Sequence, residues 1–368
     1  MTSALDEHGS GTGDGAAADA FAERIFGSIL GAIEVQAVFL GDRLGFYRSL
    51  ADDGPATSVE LAERTGTAER YAREWLEQQA ATGYLTVDDA GAAPTERRFT
   101  LPDAHAPVLA DPLSLRYMAP FAVLLASLGK QLDALVDAYR TGGGVSWEQH
   151  GRDARESQGA ANRPLFLGPL AREYLPSLPA LDAALRAGGR VADIGCGLGW
   201  SSIGIALGYP EATVDGYDLD TASVEEATRL AEQSGVADRV RFHAVDAATA
   251  GLDGTYQLVT AFECLHDMAD PVAVLRTMRS LAAADGTVLV MDENVDDVFT
   301  APAGDVDRLM YGYSLLGCLP DGLSHPGGVG TGTVMRPATL EAYATEAGFE
   351  RVEVLPIEND FFRFYRLA

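Results

Sequence analysis

Two hydrophobic periods share this chain. From residue 190 onward, short apolar runs suited to buried strands alternate with stretches whose apolar residues recur every three to four positions. The runs predict strands at 190–194, 213–218, 239–244, 256–262, 286–292, 350–355 and 361–367. The helical stretches fall near 198–207, 221–234, 271–283 and 337–347; the last opens on Pro337 and closes at Gly348, sound helix punctuation. Strict alternation of strand and helix predicts an α/β fold with a doubly wound sheet.

The first half reads differently. Residues 1–18 are small and polar and are expected to form a disordered tail. Phe21, Ile25, Ile29, Ile33, Val38, Phe39, Leu40, Leu44 and Phe46 make a helical region, Phe21 to Leu50, apolar on more than one side. It predicts either an internal core helix or a helix buried against another chain. Next, SVELAERTG and AERYAREWLEQQAATGYLTV give two helices turning at Gly66, with Ser58 as the expected N-cap, and two extended pieces at 84–87 and 98–101. Helix, turn, helix and hairpin spell a winged helix. Residues 104–140 look helical, and a loop-rich connector bearing Trp147, His150 and Phe166 leads to a helix at 168–175. The expected domains are residues 19–150, mostly helical, and 151–368, catalytic.

The chemistry gathers at VADIGCGLGWSSIGIA, residues 191–206. A strand runs into Gly195, Gly197 and Gly199 and then into a helix. Glycine accepts positive φ there and lets backbone N–H groups close on a ligand. A phosphate would want positive surroundings, yet no Lys or Arg lies between Val191 and Glu211, and Asp193 sits at the loop's start. Asp218 closes the next strand 19 residues after Gly199, where a carboxylate can grip ribose hydroxyls. Asp246 closes the third strand and can accept from an adenine amino group. Ribose, adenine and positive charge without phosphate describe S-adenosylmethionine.

VADIGCGLG, GYDLD, RFHAVDAA and AFECLHDMADP, at their spacing, resemble class I S-adenosylmethionine-dependent methyltransferases over residues 160–368. With the first half included, the chain is similar to bacterial small-molecule methyltransferases that carry a winged-helix-like domain ahead of the catalytic one. The resemblance implies a seven-stranded sheet with the last strand antiparallel. It implies cofactor contacts from Asp193, Gly195, Gly197, Gly199, Asp218, Leu219, Asp246, Ala247 and Phe262, with Tyr174 a possible neighbour. It also implies a homodimer through the N-terminal helices.

His266, in ECLHDMADP, lies just past the fourth strand, at the end of the sheet that opens on a ligand crevice. An imidazole there can take a proton from a hydroxyl acceptor, and the resemblance to the LHD segment of small-molecule O-methyltransferases favours that role over a packing histidine. Asp267 is expected either to orient His266 or to sit in the first turn of the next helix. Glu263 is expected to line the same pocket. No second ligand is dictated by spacing, so no metal is expected. Residues 294–336, with five glycines in DGLSHPGGVGTGTVMR, read as a lid over the acceptor or as a plain surface loop, with His325 near the site.

Charge narrows the partners. The net charge of −27 repels nucleic acid and anionic membranes. Between Pro55 and Thr100, eight acids face five bases, a net −3, whereas a DNA reader needs a basic face. The winged helix is therefore expected to be scaffold rather than DNA-binding. No apolar run approaches a membrane span, the N-terminus does not read as a secretory signal, and Cys196, Cys264 and Cys318 do not form a disulfide or zinc pattern. These features predict a cytoplasmic enzyme with a small-molecule acceptor and no nucleic-acid or membrane partner. Two rivals stand beside it: a cofactor-binding protein of the same fold without methyl transfer, and a winged-helix transcription regulator.

Overall fold

The computed structural model describes residues 13–252 and 254–368. Its two compact units meet between Asp111 and Pro112, not near residue 150. Of the expected tail, residues 1–12 lie outside the described residues, and residues 13–18 belong to a helix.

The first unit opens with α1 (Gly13–Arg43), followed by α2 (Phe46–Asp52), α3 (Ser58–Thr65) and α4 (Glu69–Ala81). A two-stranded ribbon, β1 (Thr86–Val87) and β2 (Phe99–Thr100), and a short α5 (Ala106–Leu109) complete it. The cap of α3 is Thr57 rather than Ser58. Its hydroxyl accepts from the Glu60 amide while the Glu60 carboxylate accepts from the Thr57 amide, a reciprocal capping box. Ser58 instead donates to Glu69 on α4 at 2.6 Å, tying the two helices together. Phe46 and Tyr47 pack on Trp75, and a Cβ on Gly41 would strike both Trp75 and Tyr47 at 2.5 Å, so α1 crosses closely there.

The N-terminal part of α1 is another matter. Phe21, Ile25, Ile29 and Ile33, four residues apart, are all about half exposed or more. Residues 15–43 are long and apolar enough to cross a membrane by length and composition, which the search for an uninterrupted apolar run did not anticipate. The helix also carries Glu23, Arg24, Glu34, Asp42 and Arg43.

In the second unit α6 (Ala119–Gly129), α7 (Leu132–Thr141) and α8 (Trp147–Leu165) precede the sheet. The expected loop-rich connector is thus largely α8, capped by Ser146 and Gln149 and broken only at Gly151. α8 runs into a widened π-helical stretch, Phe166–Tyr174, then α9 (Pro179–Arg186).

All seven expected strands form. In chain order they are β3 (Arg190–Ile194), β4 (Thr213–Asp218), β5 (Val240–Ala244), β6 (Tyr256–Phe262), β7 (Ala282–Glu293), β8 (Val352–Val354) and β9 (Phe362–Leu367). Their order across the sheet is β5-β4-β3-β6-β7-β9-β8, and β9 runs antiparallel to both neighbours. The order reverses between β3 and β6, whose parallel carboxyl ends therefore open a crevice.

Helices cover both faces. Val191 points into one core with Leu170, Leu181, Ile203 and Phe364; its neighbour Ala192 points into the other with Leu265, Leu275, Leu340 and Tyr365. That alternation is the period-two geometry of a strand buried on both sides. The covering helices include α10 (Trp200–Gly208), α11 (Thr221–Gln233), α12 (Pro271–Leu281) and α15 (Pro337–Ala347). Between β7 and α15 lie α13 (Asp305–Tyr313), a π-helical turn at Ser314–Cys318 and α14 (Leu319–Ser324).

Candidate active site

The glycine loop between β3 and α10 matches the physical reason for its composition. Gly195, Gly197 and Gly199 all hold positive φ. A Cβ on Gly195 would meet Cys264 Sγ at 2.6 Å, and one on Gly199 would meet Phe242 Cζ at 2.4 Å, whereas at Gly197 it would enter open space. The outer two glycines allow close packing; the middle one leaves bare backbone facing outward. The Gly197 amide donates to Asp218 Oδ2 at 2.7 Å, and Asp220 N donates to Asp218 Oδ1 at 2.8 Å. Burial raises the Asp218 pKa despite these donors. Beside it, Leu219 leaves 58% of its surface exposed, an apolar face next to the carboxylate. Asp246 folds back on its own turn, accepting from Ala248 N and Thr249 Oγ1.

Three expected cofactor residues face elsewhere. Asp193 is only 1% exposed. Its Oδ2 accepts from Ser201 and Ser202, both at 2.6 Å, and its Oδ1 from Thr260 at 2.8 Å. The carboxylate binds β3 to β6 and to the first turn of α10 from beneath the loop, and has no oxygen left uncommitted. Phe262 stacks on Phe166 in the core at 5.8 Å. Tyr174 packs edge-on against Phe364, and its hydroxyl accepts from Asn359. Ala247 is buried in the opposite core.

The second centre lies where β6 and β7 end. His266, 2% exposed, sits in a single 3₁₀ turn, Leu265–Asp267. Its Nδ1 is 2.9 Å from Asp292 Oδ1 and 3.2 Å from Glu293 Oε2; Nε2 is 3.4 Å from Asp267 Oδ1. An ionised carboxylate can only accept, so Nδ1 carries the proton it gives Asp292. Asp292, not Asp267, is therefore the residue that orients the ring, while Asp267 stands at the other nitrogen. The Cys318 thiol also reaches this side, with His266, Asp267 and Cys318 offering polar atoms within 4.8 Å of one another. Burial by itself lowers an imidazole pKa, but Asp267, Asp292 and Glu293 outweigh it and hold His266 well above the ordinary value.

Around this ring stand more carboxyls. Glu263 adopts φ +53, the sole non-glycine at positive φ among the described residues. Its Oε2 accepts from Gln158 and Asn162 of α8, and burial, then the nearby Glu293, push its pKa up to about 8. Glu293 is likewise raised to about 8, chiefly by burial. Asp321 of α14 is raised to about 7 by burial and by the charges of Asp267 and Asp218, although Trp147 N donates to it at 2.7 Å. Asp292, Glu293, Cys318 and Asp321 were not singled out from sequence. For the first two a signal existed: carboxylates closing a buried strand beside the one that ends near His266. Cys318 and Asp321 come from a segment whose docking no local pattern specifies.

The glycine-rich stretch is tied to this centre. Val329 N donates to Ala269 O and Gly332 N to His266 O, while Val145 N holds Pro320 O on the α8 side. His325 stands 3.9 Å from Asp321 rather than at the base.

A doubly wound seven-stranded sheet, with a glycine loop at the reversal and strand-end carboxylates beyond it, has the architecture of a class I methyltransferase. A methyltransferase-domain family model matches residues 185–313, and an Rv2258c-like winged HTH domain model matches residues 32–111. The ubiquinone biosynthesis O-methyltransferase of Xanthomonas euvesicatoria pv. vesicatoria is 30% identical over 194 residues, covering 52% of this chain and 74% of the relative. The structure of the mitomycin 7-O-methyltransferase MmcR matches with TM-score 0.67 and 25% identity over 96% of this chain and 99% of that one. Human N-acetylserotonin methyltransferase, solved with S-adenosylmethionine, shares the fold at TM-score 0.64 and 18% identity, over 98% and 99% of the two chains. The chain belongs to the S-adenosylmethionine-dependent methyltransferases, and S-adenosylmethionine is its cofactor.

Proposed function

We propose that the protein methylates a hydroxyl of a small molecule, with His266 as general base. The observation that carries this reading is the His266–Asp292 pair. A buried carboxylate fixes the ring through Nδ1, so that Nε2 faces the only side from which an acceptor can come.

The cofactor fits the other centre. Gly197 offers uncovered backbone, Asp218 keeps lone pairs for ribose hydroxyls, Leu219 offers its exposed face to the adenine, and Asp246 lies at the adenine end. Asp193 acts indirectly, by holding the loop. When bound, S-adenosylmethionine supplies a methyl group activated on a cationic sulfur. The chain's own part is then to hold the acceptor hydroxyl, exclude water and take its proton at Nε2. Asp292 steadies the imidazolium that results. The same carboxylates keep the resting ring protonated, so the proton must leave before each turnover and the rate should rise with pH.

The exposed stripe Phe21, Ile25, Ile29 and Ile33 supports a homodimer through α1, a second copy covering what this chain leaves bare. Charged residues along α1 favour a protein partner over lipid. Three free cysteines support a reducing, cytoplasmic setting. Scaffold use of the winged helix is supported by its bases being engaged at home: Arg98 with Glu60, Arg97 with Glu77, Arg73 with Glu69.

The test is incubation with methyl-labelled cofactor and mixtures of phenolic and alcoholic small molecules, read by mass spectrometry. Label appearing on oxygen with wild type but not with His266→Ala, at equal cofactor affinity by calorimetry, supports the assignment. Undiminished turnover in the variant removes the base.

A further inference from the structure

The second centre has too much negative charge for the reaction assigned to it. Glu263 at the end of β6, Asp267 on the 3₁₀ turn, Asp292 and Glu293 on β7 and Asp321 on α14 all act on one another or on His266, and His266 is the one cation among the groups that shift them. Cys318, from the π-helical turn, is also pushed up, to about 12, and adds no positive charge. Proton transfer needs one carboxylate behind the histidine, and Asp292 is that one.

The surplus is not absorbed by hydrogen bonding. Glu263 Oε1, Asp267 Oδ1, Asp292 Oδ2 and Glu293 Oε2 are buried without a hydrogen-bond partner, and the residues Asp292 and Glu293 are themselves more than nine-tenths buried. Leaving carboxyl oxygens dry and unpaired is costly, so a fold keeps such a set where a bound cation will satisfy it. Towards the crevice side, the Asp267 side chain is 34% exposed and that of Asp321 16%, so this field can be reached from outside.

We propose that the acceptor carries a protonated basic nitrogen besides its hydroxyl, and that Asp267, Asp321 and Glu263 receive that nitrogen while the hydroxyl meets His266. The proposal rests on the methyl-transfer reading and narrows its substrate class to hydroxylated amines. A metal ion fits less well. Asp292 and Glu293 lie at Nδ1, Asp267 and Cys318 at Nε2, and the two groups of possible ligands share only the imidazole, on opposite edges of one ring. One ion cannot reach both edges; an elongated organic cation can lie along the exposed one. An acidic acceptor would meet repulsion from the same side chains.

Two phenols of similar length and opposite charge test it: tyramine and 3-(4-hydroxyphenyl)propionate. Each is titrated calorimetrically, near neutral pH, into the full-length protein already saturated with S-adenosylhomocysteine. Tyramine should bind about tenfold tighter or better, and Asp321→Asn should bring the two within about twofold. Equal binding, preference for the acid, or no binding of the amine overturns the proposal. Manganese retained at one equivalent after gel filtration, without an amine preference, gives the carboxylates to a metal and overturns it too. Failure of S-adenosylhomocysteine to bind at the outset would instead count against the methyltransferase reading, so the two failures are separable.

Discussion

The two centres of the crevice treat their buried carboxylates in opposite ways. Under the glycine loop, Asp193 is fully satisfied by Ser201, Ser202 and Thr260 and works as a fastening. A strand or two away, Glu263, Asp292 and Glu293 each keep an oxygen without a hydrogen bond. The lesson is that burial of an acid says little by itself. Whether its hydrogen bonds close among its neighbours separates a residue that builds the site from one that waits for a ligand.

That contrast can be broken in several ways. The largest effect belongs to His266→Ala, which should lower kcat by about 10²- to 10⁴-fold while leaving S-adenosylhomocysteine affinity nearly unchanged by calorimetry. Asp193→Ala should behave in the reverse sense. It strips three buried hydroxyls of their acceptor, costing about 3 kcal/mol in urea unfolding, and weakens cofactor binding through the loop rather than through a lost contact. If Asp193→Ala retains wild-type stability, the fastening role is wrong.

Asp292→Asn sharpens the comparison through pH. The carboxylates raise the His266 pKa, so the active free base is populated only on the alkaline side. Neutralising Asp292 should shift the rising limb of the kcat–pH profile towards lower pH, with a reduced plateau. A limb that stays in place would mean that another group controls it.

The smallest effect is on stability. Glu263 rises from 4.5 to about 8 on folding, mainly through burial. The folded state thus favours the protonated acid; its contribution is full below the unfolded pKa and is lost as pH climbs through about 8. Ligand-free protein should therefore melt lower at pH near 8 than near 6, and Glu263→Gln should flatten that slope. A steeper slope in the variant would contradict the assignment.

Much of the sheet was legible because parallel strands buried on both faces leave plain apolar runs between helical periods. The loop's conformation was legible for the same kind of reason, since few residues other than glycine fit three positive φ angles. Three features were not. Asp193 looked like a ligand contact because spacing does not report which way a strand-end side chain points. Its parity with Val191, on the face covered by α10, decides that. Helix α8 was hidden by its composition, WEQHGRDARESQGAANRPL, polar enough to read as a connector and interrupted at Gly151. Its Gln158 and Asn162 nonetheless hold Glu263. The α13–α14 segment docks through long-range backbone bonds, such as Val145 to Pro320, that no local period encodes.

The amide bond from Gly332 to His266 has a consequence for altering what the enzyme accepts. The stretch bordering the pocket is pinned to the very residue that performs the chemistry. Inserting or deleting residues there would drag the imidazole out of alignment. Retuning by exchange of side chains on α13 and α14 leaves the register intact, so libraries of fixed length should keep far more active members than libraries of varied length.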